Sequence, residues 1–347
     1  MNSEFLLFLQ QRKRNLFQTG KTYVMKYTWK DVFGLRKEIF GLATIAILLF
    51  HLNIYVPSPQ PFAFFLAKGN IGVDVFLMLS ALGLYNSIRK NTIPQFYKHR
   101  FLRVFLPYLL GGVIYFIWYD FSYLKDGFLQ FILNLSTLNY WKTNIHPLWY
   151  VALLLVIYAV YPIVYQLDKR TRHVSSIFIG VLVAVGLTVL DKEGYLRKSF
   201  HCLSRIPVFM LGVALAAYLN QAAREGKEIQ MMHLLACLPL VLVPFVSFPR
   251  LIPSQMIYQY LVATLPFIIL TGFVLKRCPV FNKTLAWLGQ YSLEIYAVQM
   301  FIISFVDRKH GFETYPSYLW YVILPVVSIL LSVVLSWVAS ALRRRLE

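Results

Sequence analysis

The run IFGLATIAILLFHLNIYV, residues 39–56, contains no Asp, Glu, Lys or Arg. Its length is close to the ~20 residues a helix needs to cross a hydrocarbon core of ~30 Å. It is continuous, not alternating every second residue, which disfavours a strand of a membrane barrel. Comparable runs recur as far as residue 341, and the sequence predicts spans at 39–56, 71–88, 101–119, 148–167, 175–190, 205–220, 231–249, 256–275, 285–305 and 318–341. Turn-rich or charged breaks separate them, among them PSPQP at 57–61, DKRTRH at 168–173 and KRCP at 276–279. The expected fold is therefore all-α, a polytopic membrane protein of about ten transmembrane helices. A cytoplasmic arm (1–38) precedes the transmembrane domain (39–341), and a basic tail (342–347) follows it.

Composition agrees. Hydrophobic residues make up 58% of the chain and charged residues 14%, against the quarter usual in soluble domains. Too few polar side chains remain to cover a water-facing surface. The net charge of +19 shows no basic stripe with interleaved aromatics, so no nucleic-acid groove is expected. The cysteines Cys202, Cys237 and Cys278 are far apart and odd in number, which argues against a disulfide framework or a metal site.

Basic residues favour cytoplasmic loops. With the N-terminus inside, 24 of the 34 Lys and Arg fall on the inner side; the inverse topology reverses the ratio. Both termini are accordingly expected in the cytoplasm, in an inner (plasma) membrane. The outer loop after span five is a local exception, with Lys192, Arg197, Lys198 and Arg205.

This topology gives each polar residue a depth. Ionisable groups within spans are costly and tend to line cavities. His51 lies near the outer end of span one and Asp74 near the outer end of span two. His146, Trp149 and Tyr150 start span four, Arg205 starts span six, and span nine carries Gln299 with Glu294 deeper. Opposite lies an inner basic group: Arg36 and Lys37 before span one, and Tyr97, Lys98, His99, Arg100 and Arg103 leading into span three. Arg36 and His51 are separated by ~22 Å on an ideal helix. One cationic site inside and one histidine site outside suggest a reaction with a reactant on each side.

Acyl transfer to a hydroxyl fits that layout. Histidine is suited to taking the hydroxyl proton, and a carboxylate on its other ring nitrogen would fix the tautomer; by depth the candidate is Asp74. Arg205, Gln299 or Tyr150 is positioned to offer a donor to a developing oxyanion, and Trp149 and Tyr150 to stack on a sugar. Arg100 and Arg103 suit the phosphates of an acyl-coenzyme A. The plainer readings are interhelical bonding for His51 and Glu294, interfacial anchoring for Trp149 and Tyr150, and ordinary inner-loop charge for Arg100 and Arg103.

The segments IFGLATIAILLFH (39–51), IGVDVFLMLSALGLY (71–85), FYKHRFLRVFLPY (96–108), HPLWYVALLLVIYAVYP (146–162), RIPVFMLGVALA (205–216) and LGQYSLEIYAVQ (288–299), in that order, resemble the membrane acyltransferase-3 family of O-acyltransferases over roughly residues 35–340. The resemblance implies a ten-helix domain that takes an acyl group, usually acetyl, from cytoplasmic acyl-coenzyme A as co-substrate, with no bound cofactor. The acceptor it implies is a cell-surface polysaccharide, a lipid-linked sugar or a peptidoglycan precursor. The family's catalytic histidine matches His51, its span-two aspartate Asp74, its basic motif Tyr97, Arg100 and Arg103, and its Leu-Trp motif Leu148 and Trp149. The family often has an arginine eleven residues before the histidine. Phe40 stands there in this chain, and Arg36 lies one turn earlier. Many members have histidine where this chain has Gln299, and the LSG motif reads LSA at Ser80 and Ala81. Two other classes fit the polar pattern: a glycan or solute transporter using the same His, Asp and Arg, and a catalytically weakened scaffold. Acceptor identity, acyl chain and homo-oligomerisation are left open.

Overall fold

A computed structural model describes residues 26–143, 147–190, 202–246, 255–314 and 317–346. It is 87% helical and, among the described residues, has no strands. We label the principal helices α1 (Trp29–Gly34), α2 (Arg36–Tyr55), α3 (Ile71–Lys90), α4 (Ile93–Leu124), α5 (Trp149–Arg170), α6 (Val174–Leu190), α7 (Leu203–Arg224), α8 (Met231–Phe245), α9 (Gln255–Arg277), α10 (Asn282–Gln290), α11 (Ser292–Arg308) and α12 (Ser317–Leu346). Seven of them, α2, α3, α4, α5, α7, α9 and α12, are long and apolar enough to cross a membrane. The remaining expected spans are shorter helices. α6 and α8 each fall under 18 residues, and Tyr291 separates α10 from α11 where one span over 285–305 was expected.

Burial follows from which face each helix gives to its neighbours. On α12 the exposed residues include Leu330, Val334 and Trp337, whereas Ser328 and Ser332 are fully buried. In lipid the apolar side chains need not be hidden, and small residues let helices approach closely. Ser336 and Ser340 extend the same four-residue repeat toward the C-terminal end of α12.

Backbone contact is closest between α2 and α10. A Cβ on Gly41 would lie 2.0 Å from the Leu285 carbonyl oxygen, and one on Gly289 would lie 1.9 Å from that of Lys37. Neither position accommodates a side chain without parting the helices. The α3–α7 contact is similar: a Cβ on Gly212 would lie 2.9 Å from that of Ala81. Ala81 is thus the packing partner of a glycine, which gives the LSA variant a place in the core.

The end of the arm belongs to the packed domain. Thr28 and Asp31 form a reciprocal cap on α1, and the Tyr27 hydroxyl donates to the Ile269 carbonyl at 2.7 Å. Asp31 also pairs with Lys276 at 2.7 Å. Burial opposes the Asp31 charge, but Lys276 and Thr28 together outweigh it and hold the carboxyl below the usual carboxylate range. Residues 1–25 of the expected arm lie outside the described residues.

Candidate active site

α2, α3, α4, α5, α10, α11 and α12 line a cavity of about 330 Å³. Four guanidinium groups gather at one end: Arg36 from the first turn of α2, Arg100 and Arg103 from α4, and Arg343 from α12. Gly83 makes room for the first, since a Cβ there would lie 2.7 Å from both terminal nitrogens of Arg36. Arg36 stacks over Phe40 at 5.0 Å, the position where the resembling family often has its own arginine. Arg100 donates to the Ser87 hydroxyl at 2.8 Å and lies over the rings of Phe96 and Tyr158. Arg103 sits in a π turn, Phe101–Phe105, of the kind that re-aims side chains within a helix.

Arg343 donates to the Leu102 carbonyl at 3.0 Å. The Nε atoms of Arg36, Arg100 and Arg343 are buried without a hydrogen-bond partner. Among the described residues, Glu294 is the one carboxylate in the lining; it feels the charges of Arg343 and Arg103 and reaches Ser336. Arg36, Arg100 and Arg343 are half-buried and Arg103 is exposed, and four cations against one carboxylate give this end of the cavity a net positive charge that attracts an anion.

The far end is apolar and aromatic, formed by Ile47, Val73, Leu154, Tyr150 and Tyr296. Ile47 is eleven residues beyond Arg36, or ~16 Å along the helix. The rings of Tyr150 and Tyr296 meet edge to face, with centroids 5.7 Å apart. Beyond them, the His51 ring is 6.2 Å from that of Tyr296. The cavity thus runs from the arginines to a tyrosine pair that stands beside the histidine.

Gln299, fully buried, donates from Nε2 to the Leu48 carbonyl at 3.0 Å and is within hydrogen-bonding range of the His51 ring. A carbonyl only accepts, so the orientation of this amide is fixed by chemistry. The Nδ1 atom of His51 is buried with no partner.

Asp74 does not meet His51. Its side chain ion-pairs with Arg205 across the closely packed α3–α7 contact, so the expected His–Asp arrangement is replaced by one of His51 with Gln299. Arg205 also lies over Tyr260 at 5.3 Å, and the Tyr260 hydroxyl bonds Asn70. The Asp74 carboxylate is fully buried. Asp74→Ala, which leaves Arg205 without its partner, is expected to cost ~3–5 kcal/mol of stability. A lowered melting temperature in detergent, largely restored in Asp74→Ala/Arg205→Met, checks this.

Other residues singled out from the sequence fall differently from expectation. Glu294 and Tyr150, expected on the acceptor side, line the cationic cavity. Tyr97, expected to bind the donor, is turned toward α5; its hydroxyl donates to the Ala159 carbonyl at 2.8 Å. Trp149 packs against the core beside Tyr150. His146 lies outside the described residues, as do Lys192, Arg197 and Lys198.

Among the cavity residues that the sequence reading missed, with Leu154 and Tyr296, is Arg343, which it assigned to a separate basic tail. Helix α12 continues through Leu346 and carries Arg343 into the cavity with Ser336 and Ser340. The spacing of those three, four and then three residues apart, was the available sign, because it puts them on one helical face.

The chain matches the acyltransferase-3 family profile, described as an acyltransferase domain, over residues 41–337. No curated protein and no solved structure matches it.

Proposed function

The chain belongs to the acyltransferase-3 family of membrane acyltransferases, and from that premise we propose that it transfers an acyl group, acetyl above all, from cytoplasmic acyl-coenzyme A to a glycan hydroxyl. The acceptor is a cell-envelope polysaccharide or a lipid-linked sugar at the outer side of the inner (plasma) membrane. Both termini are cytoplasmic, which sets the arginine end of the cavity at the inner surface.

The observation that carries this reading is the polarity of the cavity. Four arginines at one end suit a polyanion, with guanidinium–phosphate pairs among the stronger hydrogen bonds proteins make. The apolar, aromatic end suits an uncharged tail. Acyl-coenzyme A joins those two chemistries in one molecule, with its phosphates at one end and its thioester at the other. Arg36, Arg100, Arg103 and Arg343 hold the phosphates, and the acyl group points toward Tyr150 and Tyr296.

At the outer end His51 acts as the base. Because Gln299 gives its N–H to Leu48, its carbonyl oxygen is left to accept from the imidazole. It does so from Nε2–H, and Nδ1 remains unprotonated. Nδ1 takes the proton of the acceptor hydroxyl as that oxygen bonds to the thioester carbon. The carbon–sulfur bond then breaks, and the departing thiolate takes up the proton. Asp74 contributes by pairing with Arg205 and holding its guanidinium over Tyr260 at the same depth. Gln299 thus performs the orienting task that sequence reading had given to Asp74.

The direct test is transfer of radiolabelled acetyl from acetyl-coenzyme A to envelope glycans in membranes with and without the protein. Protein-dependent label in base-labile ester on the glycan fraction is expected. Label-free glycans alongside active control enzymes would overturn the proposal.

A further inference from the structure

We infer that the Tyr150–Tyr296 pair is a length gauge for the acyl group, restricting the enzyme to short acyl chains. The inference rests on the acyl-coenzyme A reading above and adds to it the property that selects among such donors.

Its basis is where the cavity ends and what ends it. The lining runs from the guanidinium cluster to Ile47, Val73, Leu154, Tyr150 and Tyr296. Tyr150 and Tyr296 are both buried, one on α5 and the other on α11, and their edge-to-face contact joins the two helices at that level. The Tyr296 hydroxyl also donates to the Pro147 carbonyl at 3.4 Å. Pro147 lies just ahead of α5, so Tyr296 is held at both its ring and its hydroxyl. The pair is therefore a fixed wall, not a loose plug.

The reacting carbon must come close to His51, whose ring lies 6.2 Å from that of Tyr296. With the phosphates at the arginines, the thioester reaches the pair and the acyl chain has only the space beside the two rings. An acetyl group adds one methyl at that point, whereas longer chains must displace a ring or draw the thioester back toward the arginines. Each extra methylene in a confined apolar site is worth roughly 10- to 200-fold in discrimination. A wall close beyond the thioester thus suffices for strong selection.

Competition binding on the purified protein in nanodiscs tests this without any acceptor. Radiolabelled acetyl-coenzyme A is displaced by unlabelled acetyl-, butyryl- and octanoyl-coenzyme A. Wild type is expected to favour acetyl over octanoyl by at least about tenfold. Tyr150→Ala, which opens the wall, is expected to bring that ratio within about threefold. Leu154→Phe, which narrows the same end, is expected to steepen it and to weaken butyryl first. Equal wild-type affinity for all three esters overturns the gauge while leaving the donor reading intact. So does an unchanged ratio in Tyr150→Ala that still binds acetyl-coenzyme A. Should Tyr150→Ala fail to bind any ester, Leu154→Phe decides, and an unchanged profile there overturns the gauge. Wild type that binds no coenzyme A ester overturns the donor reading itself, and the gauge with it.

Discussion

His51→Ala transfers acyl groups at least about 10²-fold more slowly than wild type, the loss expected when a general base is removed. Its affinity for acetyl-coenzyme A is expected to stay within about twofold, because His51 lies beyond the tyrosine pair and takes no part in holding phosphates. Single-turnover transfer and donor binding, measured on the same preparation, separate the two. Gln299→Leu is expected to fall between wild type and His51→Ala: the ring is still present but has lost the acceptor that selects its tautomer. Equal single-turnover rates for His51→Ala and wild type would sink the proposed chemistry, whatever the donor.

Arg343→Ala gives the second large effect, and it acts on binding. Hydrogen bonds to charged groups contribute ~1.5–3 kcal/mol each, so the KM for acyl-coenzyme A is expected to rise roughly tenfold to a hundredfold. The kcat is expected to change little, because the arginine is remote from the reacting carbon. Arg344→Ala is the control. Arg344 is the next residue on α12 but is exposed, and its removal is expected to leave KM unchanged. If both variants behave alike, α12 brings charge to the membrane surface and no ligand contact.

The fold class was legible from continuous apolar runs, which report directly on the hydrocarbon they face. The depth of each polar residue was legible too, because helical rise converts sequence separation into distance. What spacing does not convey is the direction a side chain takes around its helix. Asp74 and His51 share a depth, yet Asp74 turns to α7, where Arg205 waits, and His51 is left to Gln299. Glu294 misled for a related reason. Its position in span nine was read with Gln299, five residues on, but five residues is nearly one and a half turns, so the two face different ways. Arg343 was missed because a cluster of three arginines at a chain end reads as inner-surface charge. Only the serines one and two turns before it mark its face of α12 as inward.

The α2–α10 contact has a bearing on how this site can diversify. Gly289 lines the cavity and touches α2 through backbone alone, so that point of the wall offers no side chain to exchange. Any change of acyl preference, by natural drift or by engineering, is therefore channelled to the side chains of the apolar end, and libraries aimed at new donors belong at Ile47, Val73, Tyr150, Leu154 and Tyr296.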